Sequence, residues 1–445
     1  MMDTPIAAFV EQYAATNALR LHMPGHKGQD DAERLDITEI DGADSLYDAD
    51  GIIAESEKNA GRLFGASTFY SAEGSSLAIR AMLYLLTLYA AKKGEKPYIL
   101  SGRNAHKTLI GAAALLDIDL DFLSAGDGSY LSCCISAEDI RRRLASGERR
   151  PTAVYLTSPD YVGNTVDIRA IAEVCHAYGV CLFVDNAHGA YLKFLPHSLH
   201  PIDLGADMCC DSAHKTLPVL TGGAYLHISE AAPSLFVERA RDALALFGST
   251  SPSYLILASL DRANAYLADG YPACLAAFLS DLSALRDALT AQGFTLVGDE
   301  PMKLTVKAKP YGYLGTEIAE YLCGKGIVPE FADPDHLVLM PSPSLPTDAL
   351  CRLGDALLTL PRRAPINDTP PVFSLPLRAM PIRAAIFADA ERLPVAAAVG
   401  RVLAAVTVAC PPAVPIVVSG ERIDEAAVRA FLYYGISECV VVKDK

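Results

Sequence analysis

Cys181-Leu182-Phe183-Val184-Asp185-Asn186-Ala187-His188-Gly189 decides the fold. Four apolar residues run straight into a carboxylate, and the chain then turns away towards a glycine. A short unbroken apolar run bounded by a turn suits a strand buried on both faces. The neighbours on either side agree. Ile168–Tyr178 has helical spacing, with Asp167 as N-cap and Gly179 as its stop. Further apolar runs lie at Pro97–Leu100, Asp121–Leu123, Ala153–Thr157, Met208–Cys210 and Gly223–Ile228. Ser136 with Asp139 forms a capping box for a helix ending near Gly147. Strands separated by helices imply an α/β fold with a mostly parallel sheet covered on both faces. In such sheets ligands bind beyond the carboxyl ends of the strands. Asp185 is therefore placed to meet a cationic group of a ligand. A carboxylate capping the next turn is the plainer alternative.

Outside this alternation, residues 1–45 form a turn-rich N-terminal segment and 46–262 the large domain. A long helix around Ala273–Gln292 leads into a smaller α/β domain at 263–365. Its patterns are Thr316–Lys325, runs near Ile327 and Leu337, and Thr347–Leu360. Pro361-Arg362-Arg363-Ala364-Pro365 and Pro370-Pro371 mark a linker. Residues 372–445 carry strand and helix patterns of their own, an α+β domain.

Composition narrows the function. In 445 residues, about half are apolar and a fifth charged, an ordinary globular balance. No uncharged apolar stretch reaches the roughly 18 residues of a membrane span, and no basic start leads into an apolar core. The 11 cysteines include no Cys-x-x-Cys spacing, which speaks against a zinc ribbon or a disulfide framework and for reduced thiols in the cytoplasm. A net charge of −15 argues against nucleic acid as partner. It suits a cationic small substrate, although solubility explains it as well.

Three clusters carry chemistry. Gly74-Ser75-Ser76 opens a long apolar helix that runs through Lys92 and closes at Gly94. Free N–H groups at a helix start attract phosphate, and serine there also serves as a simple cap. Asp185 ends its strand. Ser212-Ala213-His214-Lys215 follows the Met208–Cys210 run and precedes Thr221-Gly222-Gly223. An isolated loop lysine is usually only a solvated charge. In this order, however, the three clusters meet the needs of pyridoxal 5'-phosphate: a helix start for its phosphate, a carboxylate for its ring nitrogen and a lysine for its aldehyde. His106, in Arg103-Asn104-Ala105-His106-Lys107, can stack on a flat ring or serve only as a surface residue. His22 and His26 flank Met23-Pro24-Gly25, which breaks a helix, so the pair is not expected to bind metal.

These residues resemble the bacterial ornithine/lysine/arginine decarboxylases, short form, within the aspartate-aminotransferase fold group. Matching stretches run through nearly the whole chain: Leu21–Lys27, Asp44-Ser45-Leu46, Gly74–Ser76, Arg103–Lys107, Thr157-Ser158-Pro159, Asp185–Gly189, Ser212–Lys215, Ser249–Ser253 and Pro411–Pro415. The resemblance implies a seven-stranded, mostly parallel sheet flanked by helices, a small domain and a C-terminal domain. It implies that Lys215 holds the cofactor covalently, Asp185 keeps the pyridine nitrogen protonated and His106 stacks on the ring. Ser75, Ser76, Ser212 and His214 would hold the phosphate, and His188 would lie beside the reacting carbon. Thr250 or Ser251 would reach the phosphate of a neighbouring subunit, making a homodimer or higher oligomer with a shared site. The implied reaction converts arginine, lysine or ornithine to the polyamine-type amine and carbon dioxide. Transamination or aldol cleavage would use the same cofactor residues.

Two stretches depart from the family pattern. The common Asp-Glu-Ala-His-Gly has Asn186 in place of glutamate. Side chains alternate along a strand, so residue 186 is expected to face away from Asp185. The usual Tyr-Pro-Pro-Gly-Ile-Pro reads Cys410-Pro411-Pro412-Ala413-Val414-Pro415, which bears on substrate choice.

Overall fold

The apolar runs become strands β1 (Ser67–Ser71), β2 (Tyr98–Gly102), β3 (Asp119–Leu123), β4 (Ala153–Thr157), β5 (Cys181–Asp185), β6 (Met208–Asp211) and β7 (Ala224–Ile228). The computed structural model describes residues 2–123, 130–147, 149–372, 375–407 and 412–444. The seven strands form one mostly parallel sheet in the order β1-β7-β6-β5-β4-β2-β3. All five residues of β5 are buried, as its unbroken apolar run requires. β4, β5 and β6 are parallel, while β7 is antiparallel to both β6 and β1.

The chain divides into two compact units. The first comprises Met1–Tyr98, Ile140–Ser158 and Asp167–Leu275. In it the helix Gly74–Lys92 packs on β1, β6 and β7 and buries Leu77, Ile79, Met82 and Leu86. Among the described residues this is the one helix long and apolar enough to cross a membrane. Its packing on the sheet gives a sufficient reason for that apolarity. Asp167 caps the Ile168–Ala177 helix, accepting from the Ala170 amide at 3.0 Å.

The second unit comprises Ile99–Asp139, Pro159–Val166 and Ala276–Lys445. The expected capping box is present there: Asp139 accepts from the Ser136 amide at 2.9 Å, and Ser136 Oγ accepts from the Asp139 amide at 3.2 Å. Strands β8 (Thr295–Val297), β9 (Leu304–Lys307), β10 (Phe331–Ala332) and β11 (His336–Leu339) make a four-stranded antiparallel sheet, ordered β10-β11-β9-β8. Leu304, Val306, Leu337 and Leu339 turn one face of it into a core shared with Ile318, Leu322 and Leu357. Near the C-terminus β12 (Ala390–Pro394), β13 (Leu403–Ala405) and β14 (Glu438–Val442) form an antiparallel sheet ordered β12-β14-β13. Its core includes Leu403, Val441, Ala427 and Phe431, the last two on the helix Glu425–Tyr433.

Candidate active site

Parallel register sets the site. Thr157 lies opposite Asp185, and Asp185 lies opposite Cys210. The ends of β4, β5 and β6 are thus level, and Asp185 is only 2% exposed. Its Oδ2 accepts from the Tyr155 hydroxyl at 3.2 Å, and its Oδ1 from the Ala187 amide at 3.2 Å. The Cys210 thiol donates to Oδ1 at 3.7 Å. Burial pushes both the Tyr155 hydroxyl and the Cys210 thiol well up, and the nearby Asp185 charge adds to this. Both therefore stay protonated and donate. The carboxylate does bind the following turn through Ala187, and it also has a defined orientation from its neighbouring strands.

Lys215 lies in a short helical turn, Ala213–Thr216, directly after β6. Its side chain is exposed, and its Nζ donates to His188 Nε2 at 3.1 Å. His188, in the turn after β5, is itself buried. The strand-end turns after β5 and β6 thus bring together two residues that are 27 positions apart in the chain.

Ser75 and Ser76 begin the Gly74–Lys92 helix, and the Ser212 hydroxyl donates to Ser75 Oγ at 2.8 Å. The cap position is Glu73, which makes no side-chain cap hydrogen bond. Gly222 locks this corner. At its φ of +101° a Cβ would meet the Ala72 carbonyl oxygen at 2.9 Å, and its own carbonyl accepts from the Gly74 amide at 2.7 Å. Glycine is needed for that close approach. His214 Nδ1 donates to the Gly223 carbonyl at 3.0 Å, and burial pushes its imidazole below the usual value, with Lys215 adding to this.

The remaining expected residues are placed as follows. Thr250 and Ser251 are exposed, and the adjoining Ser249 amide donates to Glu73 Oε1 at 2.6 Å. His106 belongs to the second unit, where it caps the helix Lys107–Leu115 by accepting from the Thr108 amide at 3.2 Å. His22 and His26 turn to different partners, Tyr13 and Asp36. Cys410 and Pro411 lie outside the described residues. Ala413 has a φ of +60°, the left-handed region that favours glycine, and its carbonyl accepts from the Lys107 amide at 3.1 Å.

Several groups carry no signal in the sequence. Tyr155 is two residues before the end of β4, and only the register places its hydroxyl at Asp185. In the second unit a cavity of about 530 Å³ is lined by Tyr130, Tyr433, Tyr434, Phe331 and the carboxylates Glu330 and Asp333. Tyr161 donates to Glu330 at 2.7 Å. Among the described residues, the buried Asp333 Oδ2 has no hydrogen-bond partner. On β6, Asp211 with His200 and Cys209 places three donor atoms within 4.8 Å of one another. Both Asp211 oxygens already face N–H groups, so this cluster reads as a hydrogen-bond network.

Comparison with known proteins places this geometry. The Orn/Lys/Arg decarboxylase major-domain model matches residues 4–299, and the C-terminal-domain model of the same family matches 375–439. The arginine decarboxylase of Halalkalibacterium halodurans is 30% identical over 465 residues, covering 95% of this chain and 92% of that protein. The Bacillus subtilis arginine decarboxylase is 29% identical over 462 residues, with 95% and 92% covered. Among solved structures, the Francisella novicida lysine decarboxylase superposes with a TM-score of 0.79 at 16% identity, over 98% of this chain and 79% of that one. The Escherichia coli constitutive lysine decarboxylase gives 0.76 at 19% identity, over 99% and 82%. The fold is that of the aminotransferase-like α/β enzymes. Within it, this chain belongs to the Orn/Lys/Arg decarboxylase family and is a decarboxylase.

Proposed function

We propose that the chain removes the carboxylate of a basic amino acid, arginine first among them, with pyridoxal phosphate held on Lys215. The observation that carries this reading is the Lys215–His188 contact at 3.1 Å, next to a strand-end carboxylate and a serine-bearing helix start. The donor set fits the group: hydroxyls and helix N–H groups for a phosphate, a buried carboxylate for a protonated ring nitrogen, and an amine for an aldehyde. When bound, pyridoxal phosphate supplies the sink for the electron pair left as CO2 departs. Ser75, Ser76, Ser212 and His214 would hold the phosphate, and His106 would stack on the ring. Asp185, oriented by Tyr155 and Ala187, would hold the ring nitrogen protonated. Lys215, with His188 at its Nζ, would return a proton to the α-carbon, so that the products are the amine and CO2.

Support for a cationic substrate comes from the relatives named arginine and lysine decarboxylase. The full-length relatives named arginine decarboxylase put arginine ahead of lysine and ornithine. Exposure of Thr250 and Ser251 is compatible with a homodimer in which they reach the partner's phosphate. The cytoplasm, with polyamine formation, is the expected setting.

One experiment tests the whole reading. Borohydride reduction of the holoprotein followed by peptide mapping should place a pyridoxyl group on Lys215. The same preparation should release CO2 from arginine, lysine or ornithine without forming a keto acid. Label on another lysine would remove the cofactor assignment, and keto acid as product would make the enzyme a transaminase.

A further inference from the structure

Alternation along β5 and β6 divides their ends between two faces of the sheet. Asp185 and Cys210 share the face of the candidate active site, and Asn186 and Asp211 share the other. On that far face Asn186 Nδ2 donates to Asp211 Oδ1 at 2.7 Å. His200 Nε2 and His227 Nε2 lie 3.0 and 3.3 Å from Asp211 Oδ2. Thr68 Oγ1 lies 2.9 Å from His227 Nδ1, so the network spans β5, β6, β7 and β1. Asn186, His200, Asp211 and His227 are all 0% exposed. The Phe64 ring closes over both imidazoles, with centroids 5.3 Å from His200 and 4.3 Å from His227.

A carboxylate in such a place survives only if every lone pair facing it meets a donor. Asp211 has three, one amide and two imidazoles. Among the described residues, none of the groups that hydrogen-bond to Asp211 is a lysine or arginine, so the pocket is built around one negative charge. A glutamate at 186, the residue common in the family, would set two carboxylates against each other without water. The amide instead turns a donor to Asp211.

We propose that Asp211 is a positioning residue for the active site, and that Asn186 replaces glutamate because Asp211 already holds the single charge this pocket accepts. Asp211 is followed directly by Ser212, three residues before Lys215, and Asn186 directly follows Asp185. Clasping 186 to 211 from behind fixes the two strand ends whose front carries the cofactor residues. The inference rests on the assignment of Asp185, Ser212 and Lys215 given above.

The test exchanges the charge across the pair in the full chain: Asn186→Glu, Asp211→Asn, and both together. Tm is measured on cofactor-free protein at pH 8 and pH 5.5, and cofactor affinity by absorbance titration. Asn186→Glu should lower Tm at pH 8 and weaken cofactor affinity at least tenfold. Its Tm deficit should shrink at pH 5.5, where the added glutamate takes a proton. The double variant, with acid and amide exchanged, should recover cofactor affinity to within about threefold of wild type and most of the Tm. A double variant no better than Asn186→Glu, or an Asn186→Glu protein that matches wild type, overturns the proposal. If the charged variants do not fold, Asn186→Ala removes the donor without adding charge. It should weaken cofactor affinity at least threefold, and unchanged affinity overturns the proposal. Because the Tm coupling is read without cofactor, loss of the Lys215 assignment would leave it intact, and the two failures remain distinct.

Discussion

Arg103 and Glu421 form a buried ion pair at 3.0 Å, 318 positions apart in the chain. Arg103 also donates to the carbonyls of Pro415 at 3.0 Å and Ile416 at 3.1 Å. Glu421 accepts in turn from the Val418 amide at 2.7 Å. The Arg103–Lys107 segment is therefore gripped by the Ala413–Glu421 stretch of the C-terminal region. Lys107 adds its amide bond to Ala413. His106 lies between these two anchor points.

Removing one partner leaves the other charge buried and unpaired, which commonly costs about 3–5 kcal/mol. Arg103→Ala should destabilise the protein by that order in urea titration. Glu421→Gln, which keeps an acceptor, should cost less. Both should weaken cofactor uptake, since His106 loses its anchor. An Arg103→Ala protein as stable as wild type would show that the pair does not hold the segment.

Asp185 and Tyr155 should separate by magnitude. A hydrogen bond to a charged group contributes about 1.5–3 kcal/mol, and the Asp185 carboxylate keeps its Ala187 and Cys210 donors when the Tyr155 hydroxyl is lost. Asp185→Ala should therefore keep the fold and lose turnover by tens-fold or more. Cofactor affinity should fall less, because the phosphate contacts remain. Tyr155→Phe should lose turnover only several-fold, with KM little changed. Near-normal turnover in Asp185→Ala would leave that carboxylate with the structural role alone.

The strands that carry the candidate site are legible in the sequence. β4 matches its apolar run residue for residue, and β5 and β6 extend theirs by one terminal aspartate each, Asp185 and Asp211. Those runs stand out because both faces are buried. β1 was not legible. Four of the five residues Ser67-Thr68-Phe69-Tyr70-Ser71 carry a hydroxyl, and those of Thr68, Tyr70 and Ser71 find partners inside the fold. Ser71 Oγ donates to the Gly74 carbonyl at 2.9 Å, and Tyr70 OH pairs with Ser56 Oγ at 2.7 Å. Hydropathy cannot register partners that arrive from other elements. The same limit hid Asp211: alternation predicts that residue 186 faces away from Asp185, but not what it meets there.

Stability should fall as pH drops below about 6.5. Burial pushes His227 down, and Asp211 opposes this less than fully, with His200 and Lys193 adding to the depression. Burial pushes His214 down as well. A base with a depressed folded pKa binds its proton more readily when unfolded. The unfolded state therefore gains as pH falls through the ordinary imidazole value near 6.5. Each unit of depression is worth about 1.4 kcal/mol. Asp211 works in the same direction at lower pH. Burial opposes its charge, but the two imidazoles outweigh this and hold its carboxyl well below the usual range. His227→Gln should flatten the loss between pH 7 and pH 5.5 in thermal melts. An unchanged slope would mean that His227 is not a net contributor.

Substrate choice should follow the distal charge. Removing a buried charge partner commonly costs about 2–5 kcal/mol, and each 1.4 kcal/mol is tenfold. Arginine, lysine or ornithine should thus exceed norleucine in kcat/KM by tens-fold at least. Added salt should narrow the gap only partly, because screening weakens long-range attraction more than a desolvated contact. Equal rates for lysine and norleucine would refute recognition of the distal charge while leaving the decarboxylase assignment standing.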